Sequence, residues 1–191
     1  MTWGKNQPLE SHVEWLLTHK LDTQGKELWA AYITTRTEIC SQILPLIASQ
    51  EPDLSDHGIK HIKDVIDNAS LLLGFKNEYG ADCECDKKHD LSAEEMLILL
   101  LGILVHDIGN IYGRKAHNQA IADVWGKLNS WNSWTASERR LIITVGRAHT
   151  GKKIEASFDD TLATVDIAHF RKKTINCTNI AAIICNGHYL I

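Results

Sequence analysis

Ten of the 191 residues are histidine, and several stand where an apolar side chain would be expected. His106-Asp107 closes the most apolar stretch of the chain, Met96 to Val105. Burying an imidazole and a carboxylate is costly unless they are paired, hydrated or bound to a metal. His61 and His57 lie four and eight residues before Val65 and extend the stripe made by Ile62, Val65, Ile66 and Ala69. His117 shares a helical face with Ile121, Val124, Trp125 and Leu128, and His149 shares one with Leu141, Ile142 and Val145. A lone histidine on such a face is most often a hydrogen-bonded core residue. Four or five converging on one His-Asp pair point to a divalent-metal centre, because imidazoles and carboxylates are donors such ions accept.

The elements that must position these residues read as helices. Leu9, Val13, Leu16 and Leu17 form a first apolar stripe, and Trp29, Ile33, Ile39, Ile43 and Ile47 form a second over about 26–48. Pro45 is expected to kink or end that second helix. A third helix is expected from His57 to Leu73, with Gly74 as its stop. Ser92 and Glu95 make a capping box for a helix that is apolar all round, which belongs at the centre of a bundle. One helix is expected to start near His117, and another behind the Thr135/Glu138 box. Residues 75–91 and 150–160 read as loops, and Ile180 to Ile184 is a last apolar run. Alternating strand patterns are nearly absent. The expected fold is an all-α bundle.

Composition narrows the function. The hydrophobic fraction of 44% and charged fraction of 23% are those of a folded globular domain. Twenty Lys+Arg against twenty-four Asp+Glu give a net charge of −4, which argues against a general nucleic-acid or anionic-membrane binder. The apolar run Met96–Val105 is shorter than the roughly 20 residues a bilayer span needs, so no membrane is expected. Five cysteines, an odd number without zinc-finger spacing, suit a reducing cytoplasm. Cys83 and Cys85 are a weak metal signal. Trp125, Trp131 and Trp134 are expected as core and loop anchors rather than a base-stacking platform.

His61 opening a helix, with His106-Asp107 closing an apolar one, resembles the HD-domain superfamily of metal-dependent phosphohydrolases, whose pattern is H…HD…D on a helical bundle. The segment Asp56 to His61 with Val65 is similar to a prokaryotic branch often found beside GHKL-type ATPase modules. The resemblance covers roughly residues 40 to 190 and divides the chain into an N-terminal helical extension, 1–50, packed on an HD-type metal-binding domain, 51–191. It implies that His61, His106 and Asp107 hold a main metal, with His106 and Asp107 the catalytic pair. His117 and His149 would hold a second ion, with Asp107 bridging the two. His57 is expected either behind these ligands, the favoured reading, or as a ligand in place of His61.

The family's last aspartate has no clear counterpart. Ile180-Ala181-Ala182-Ile183-Ile184 resembles the start of its helix, but Cys185-Asn186-Gly187-His188 follows. Three readings stand: His188 replaces the ligand, Asp166 or Asp160 supplies it, or the site is incomplete. Lys60, Arg114 and Arg147 flank the motif positions and could bind substrate phosphate, with solvated helix ends as the alternative. The expected cofactor is one or two divalent ions, with Mn, Fe, Co, Ni, Zn and Mg undistinguished. The expected activity is hydrolysis of a phosphoester or phosphoanhydride in a small phosphorylated substrate, a nucleotide. The alternative is an impaired regulatory or nucleotide-binding module, for which the first fifty residues could serve in docking or as a homodimer contact.

Overall fold

The computed structural model describes residues 3–50, 58–75, 90–115, 117–150, 162, 165 and 167–189. His57, Asp160, Asp166, Cys83 and Cys85 lie outside the described residues. The architecture is the expected all-α bundle, built from α1 (Pro8–His19), α2 (Thr23–Glu38), α3 (Leu44–Gln50), α4 (Ile59–Leu72), α5 (Ala93–Val105), α6 (Ile121–Trp125), α7 (Ala136–Arg147) and α8 (Cys177–Tyr189).

Helix α5 is the axis. Every residue from Met96 to Val105 is buried, and α7, α8, α1 and α4 pack around it. Its start is fixed by the box read from the sequence: Ser92 Oγ accepts from Glu95 N at 3.3 Å and Ser92 N donates to Glu95 Oε2 at 2.9 Å. With the 3₁₀ turn after it, Ala93–Tyr112 is long and apolar enough to cross a bilayer by length and composition. It is 83% buried inside the protein, as a core helix would be.

The end of α4 is also as read. Gly74 adopts φ 83°, Phe75 N donates to Ser70 O at 2.9 Å, and Gly74 N donates to Leu71 O at 3.0 Å. That pairing satisfies the orphan carbonyls of the last turn, and only the glycine adopts its left-handed backbone without strain.

Three local expectations need correction. The helix does not end at Pro45: α2 passes through a π-helical turn, Ile39–Ile43, into α3. Pro45 falls just after that π turn, inside a continuous run of helix. The helix expected from His117 is broken into a 3₁₀ turn, His117–Gln119, and the short α6. Arg147 holds that break, donating Nε to Asn118 O at 2.9 Å and an amino group to Gln119 O at 3.0 Å. Residues 167–176 form a hairpin, β1 (Ile167–Phe170) antiparallel to β2 (Lys173–Asn176), with Phe170 opposite Lys173. Strands of four residues are too short to show an alternation, and only Phe170 and Ile175 turn fully inward.

The N-terminal helices share the core with the rest. Glu10 of α1 is fully buried, accepting from Trp3 Nε1 at 3.1 Å, Gln7 N at 2.7 Å, Tyr32 Oη at 2.5 Å and Arg36 at 2.5 Å. Burial, and then the Glu10 charge, push the Tyr32 phenol well above its ordinary range. Trp125 and Trp134 are buried anchors, donating to Ser130 Oγ and Thr35 Oγ1 respectively. Trp131 is partly buried.

Candidate metal centre

Close backbone approaches gather the histidines. At Gly146 of α7 a Cβ would stand 2.9 Å from Val105 Cγ2 and 3.7 Å from His106 Cα, so α7 crosses the end of α5 and sets His149 beside His106. At Gly187 of α8 it would meet Val65 O at 3.3 Å, which lays α8 on α4 and sets His188 beside His61. At Gly109 it would meet His117 O at 1.8 Å, so the His117 turn folds directly over the turn that carries Asp107.

The result is a nest around one carboxylate. His61, His106, Asp107 and His149 are each at most 4% exposed. Asp107 Oδ2 faces His106 Nε2 at 3.1 Å and His61 Nε2 at 3.4 Å. Its Oδ1 faces His117 Nε2 at 3.4 Å and His149 Nε2 at 3.5 Å. His188 packs edge-on against His61, with ring centroids 5.1 Å apart, and against His106, at 5.5 Å. Donor atoms of His61, His106, Asp107 and His188 lie within 4.8 Å of one another, as do those of Asp107, His117 and His149. Either group could hold a metal ion.

The hydrogen bonds behind the rings say which nitrogens are available. His106 Nδ1 is 2.6 Å from Ile103 O, His117 Nδ1 is 2.9 Å from Arg114 O, and His149 Nδ1 is 2.7 Å from Gly146 O. A carbonyl only accepts, so each Nδ1 carries the proton and donates, and each neutral ring turns its Nε2 lone pair inward. His117 Nε2 and His149 Nε2 then face each other at 3.2 Å, and His61 and His106 do so at 3.3 Å. On His117 and His149, whose Nδ1 protons face carbonyls, two lone pairs at that distance repel unless a cation or a proton lies between them. Helices α5 and α7 also direct their C-terminal carbonyl ends here, which favours positive charge. The donor set and its orientation fit divalent metal ions.

The Asp107 charge acts unevenly on the rings. Burial lowers the His106 pKa, but the Asp107 charge and hydrogen bond, with the Ile103 carbonyl, outweigh it and leave the net value raised. His117 is likewise raised: its burial is outweighed by the Asp107 hydrogen bond and the Arg114 carbonyl. His149 is pushed down to about 3 by burial and by the neighbouring His106 charge.

The candidate phosphate ligands fare differently. Lys60 pairs with Asp64 on the exposed side of α4, turned from its neighbour His61. Arg147 is committed to the carbonyls of Asn118 and Gln119. Arg114 lends its own carbonyl to His117. The sequence reading missed these orienting carbonyls, although each stands three residues before its histidine, a spacing that could have shown them. It also passed over Asn110, three residues after Asp107, whose buried Oδ1 has no partner among the described residues. An ordered water would satisfy it.

No curated protein and no solved structure matches the chain. Among families of known proteins, the one described as HD-CE matches residues 51–190, a stretch that spans α4 through α8 and therefore every residue of the nest. Since that match takes in well over half of the sequence, this chain belongs to the HD-CE family and carries an HD-type domain.

Proposed function

We propose that the chain is a metal-dependent phosphohydrolase of the HD superfamily that cleaves a phosphoester or phosphoanhydride in a small substrate, a nucleotide. The observation that carries the reading is the division of Asp107. Its Oδ2 would join His61, His106 and His188 around one ion, and its Oδ1 would join His117 and His149 around another. Ions bound there would lower the pKa of a water and neutralise phosphoryl oxygens. The Ile103, Arg114 and Gly146 carbonyls keep three rings in the ligating tautomer, and the apolar walls of α5 and α7 limit bulk water. The group with only two imidazoles has the fewer protein donors, which leaves room for water or a phosphoryl oxygen on the His117 side.

The proposal includes a helical extension, 1–50, ahead of the metal-binding domain, a cytoplasmic setting, and a place beside GHKL-type ATPase modules in larger assemblies. A second reading, a regulatory or nucleotide-binding module without turnover, draws on the engaged head groups of Lys60 and Arg147 and on His188 in place of a carboxylate. Elemental analysis together with hydrolysis assays over a panel of nucleotides and phosphoesters separates the two. Turnover that follows metal content and vanishes in Asp107→Ala supports the enzyme. Absence of turnover on any substrate, with or without bound metal, supports the module, and a protein that binds no metal refutes the enzyme.

A further inference from the structure

The donors can be counted by chemical type. Among the described residues the nest holds five imidazoles, His61, His106, His117, His149 and His188, and one carboxylate, Asp107. Magnesium and calcium take hard oxygen donors, and magnesium keeps much of its water. Imidazole suits zinc, nickel, copper and iron, and cobalt stands between iron and nickel in the same affinity order. Five imidazoles against one carboxylate among the described residues weight the donor set towards nitrogen.

We infer that this centre is selective for imidazole-preferring transition ions, zinc, nickel and cobalt, and is not a magnesium site, with His188 as the residue that sets the preference. The inference rests on the metal-centre reading above. His188 stands at the end of α8 with its ring against His61, His106 and His149, at centroid distances of 5.1, 5.5 and 5.8 Å. Gly187 sets that position by letting α8 lie on the Val65 carbonyl. A carboxylate at 188 would add a hard, negative donor to the same group and shift the preference towards manganese and magnesium.

The test uses the full chain, stripped of metal with a chelator that is then dialysed away. Affinities for zinc, cobalt, nickel, manganese and magnesium are measured by competition with a metal indicator, and cobalt is followed by its visible absorption bands. The expected result is binding of zinc, nickel and cobalt, with magnesium at about 10 mM leaving the cobalt bands unchanged. His188→Asp should lower the zinc-to-manganese affinity ratio by about tenfold or more. His188→Gln, which removes the imidazole without adding charge, should weaken cobalt binding and alter its spectrum, with circular dichroism reporting that the bundle is intact. Magnesium displacing cobalt, or an unchanged ratio in His188→Asp while metals still bind, overturns the inference and leaves the metal-centre reading standing. An unchanged ratio in His188→Asp combined with metal loss in Asp166→Ala overturns it equally. Failure of the unsubstituted chain to bind any of these ions overturns the metal-centre reading itself.

Discussion

Gly109→Ala is the sharpest single test of how the centre is assembled. The added Cβ would lie 1.8 Å from His117 O, 2.7 Å from His117 C and 3.2 Å from His117 Cα. All three are backbone atoms, so no side chain can rotate away. Cβ contacts under 3.0 Å are essentially never seen, so the His117 turn must retreat by at least the difference, 3.0 − 1.8 = 1.2 Å. His117 Nε2 begins 3.4 Å from Asp107 Oδ1 and 3.2 Å from His149 Nε2, and metal–imidazole bonds tolerate only about 0.2 Å of misplacement. The His117–His149 side should therefore lose its ion. The His61–His106–His188 side, on α4, α5 and α8, keeps its geometry and its metal. Overpacking of this kind costs about 1–3 kcal/mol, and a chain of this size loses roughly 2–4 °C of melting temperature per kcal/mol. Metal per chain should thus fall by about half relative to the unsubstituted protein, with a drop in melting temperature of several degrees. Gly187→Ala is the internal comparison. Its Cβ would meet Val65 O at 3.3 Å, a contact relieved by a shift of a few tenths of an ångström. Full metal content and an unchanged melting temperature in Gly109→Ala would refute the reasoning, as would equal loss of metal in the two variants.

Asp107→Asn, nearly isosteric, should lose both ions together because Oδ1 and Oδ2 serve the two groups; elemental analysis that finds one group still loaded would show the carboxylate is not shared. Metal affinity should fall with acidity, beginning above the ordinary histidine pKa of about 6.5, because His106 and His117 are raised and their protons compete with the ion. The sign follows from that competition: each group holds one raised histidine, so below its value one proton must leave for each ion bound and the affinity falls by up to about tenfold per pH unit. His149, held down to about 3, takes no part in this window, and titrations of metal affinity against pH that show no fall until well below pH ~6 would contradict it. Glu10→Ala leaves the buried Arg36 guanidinium without its carboxylate and strips acceptors from Trp3 and Tyr32, which should cost about 3–5 kcal/mol in urea unfolding; a loss under about 1 kcal/mol would show that water compensates the cluster.

Where a feature depends on neighbours within a turn or two, the sequence alone determined it. The two capping boxes, the left-handed stop at Gly74 and the all-round burial of α5 follow from side chains three or four residues apart and from apolar periodicity. That His61, His106 and His149 would be buried was legible for the same reason, since each continues an apolar face. Features that depend on distant chain were not legible. The turn at His117 is fixed by Gly109 and by Arg147, one before it and one well after it in the chain. The hairpin exists because Phe170 and Ile175 find cover in the bundle, and its strands are too short to declare themselves. The sequence leaves His188 as one of three readings for the last ligand; only the packing of α8 across Val65 sets it among the other imidazoles. Likewise, periodicity can say that a histidine faces inward but not which nitrogen leads. That choice was made by the carbonyls of Ile103, Arg114 and Gly146, and by four helices and a turn meeting around a single carboxylate.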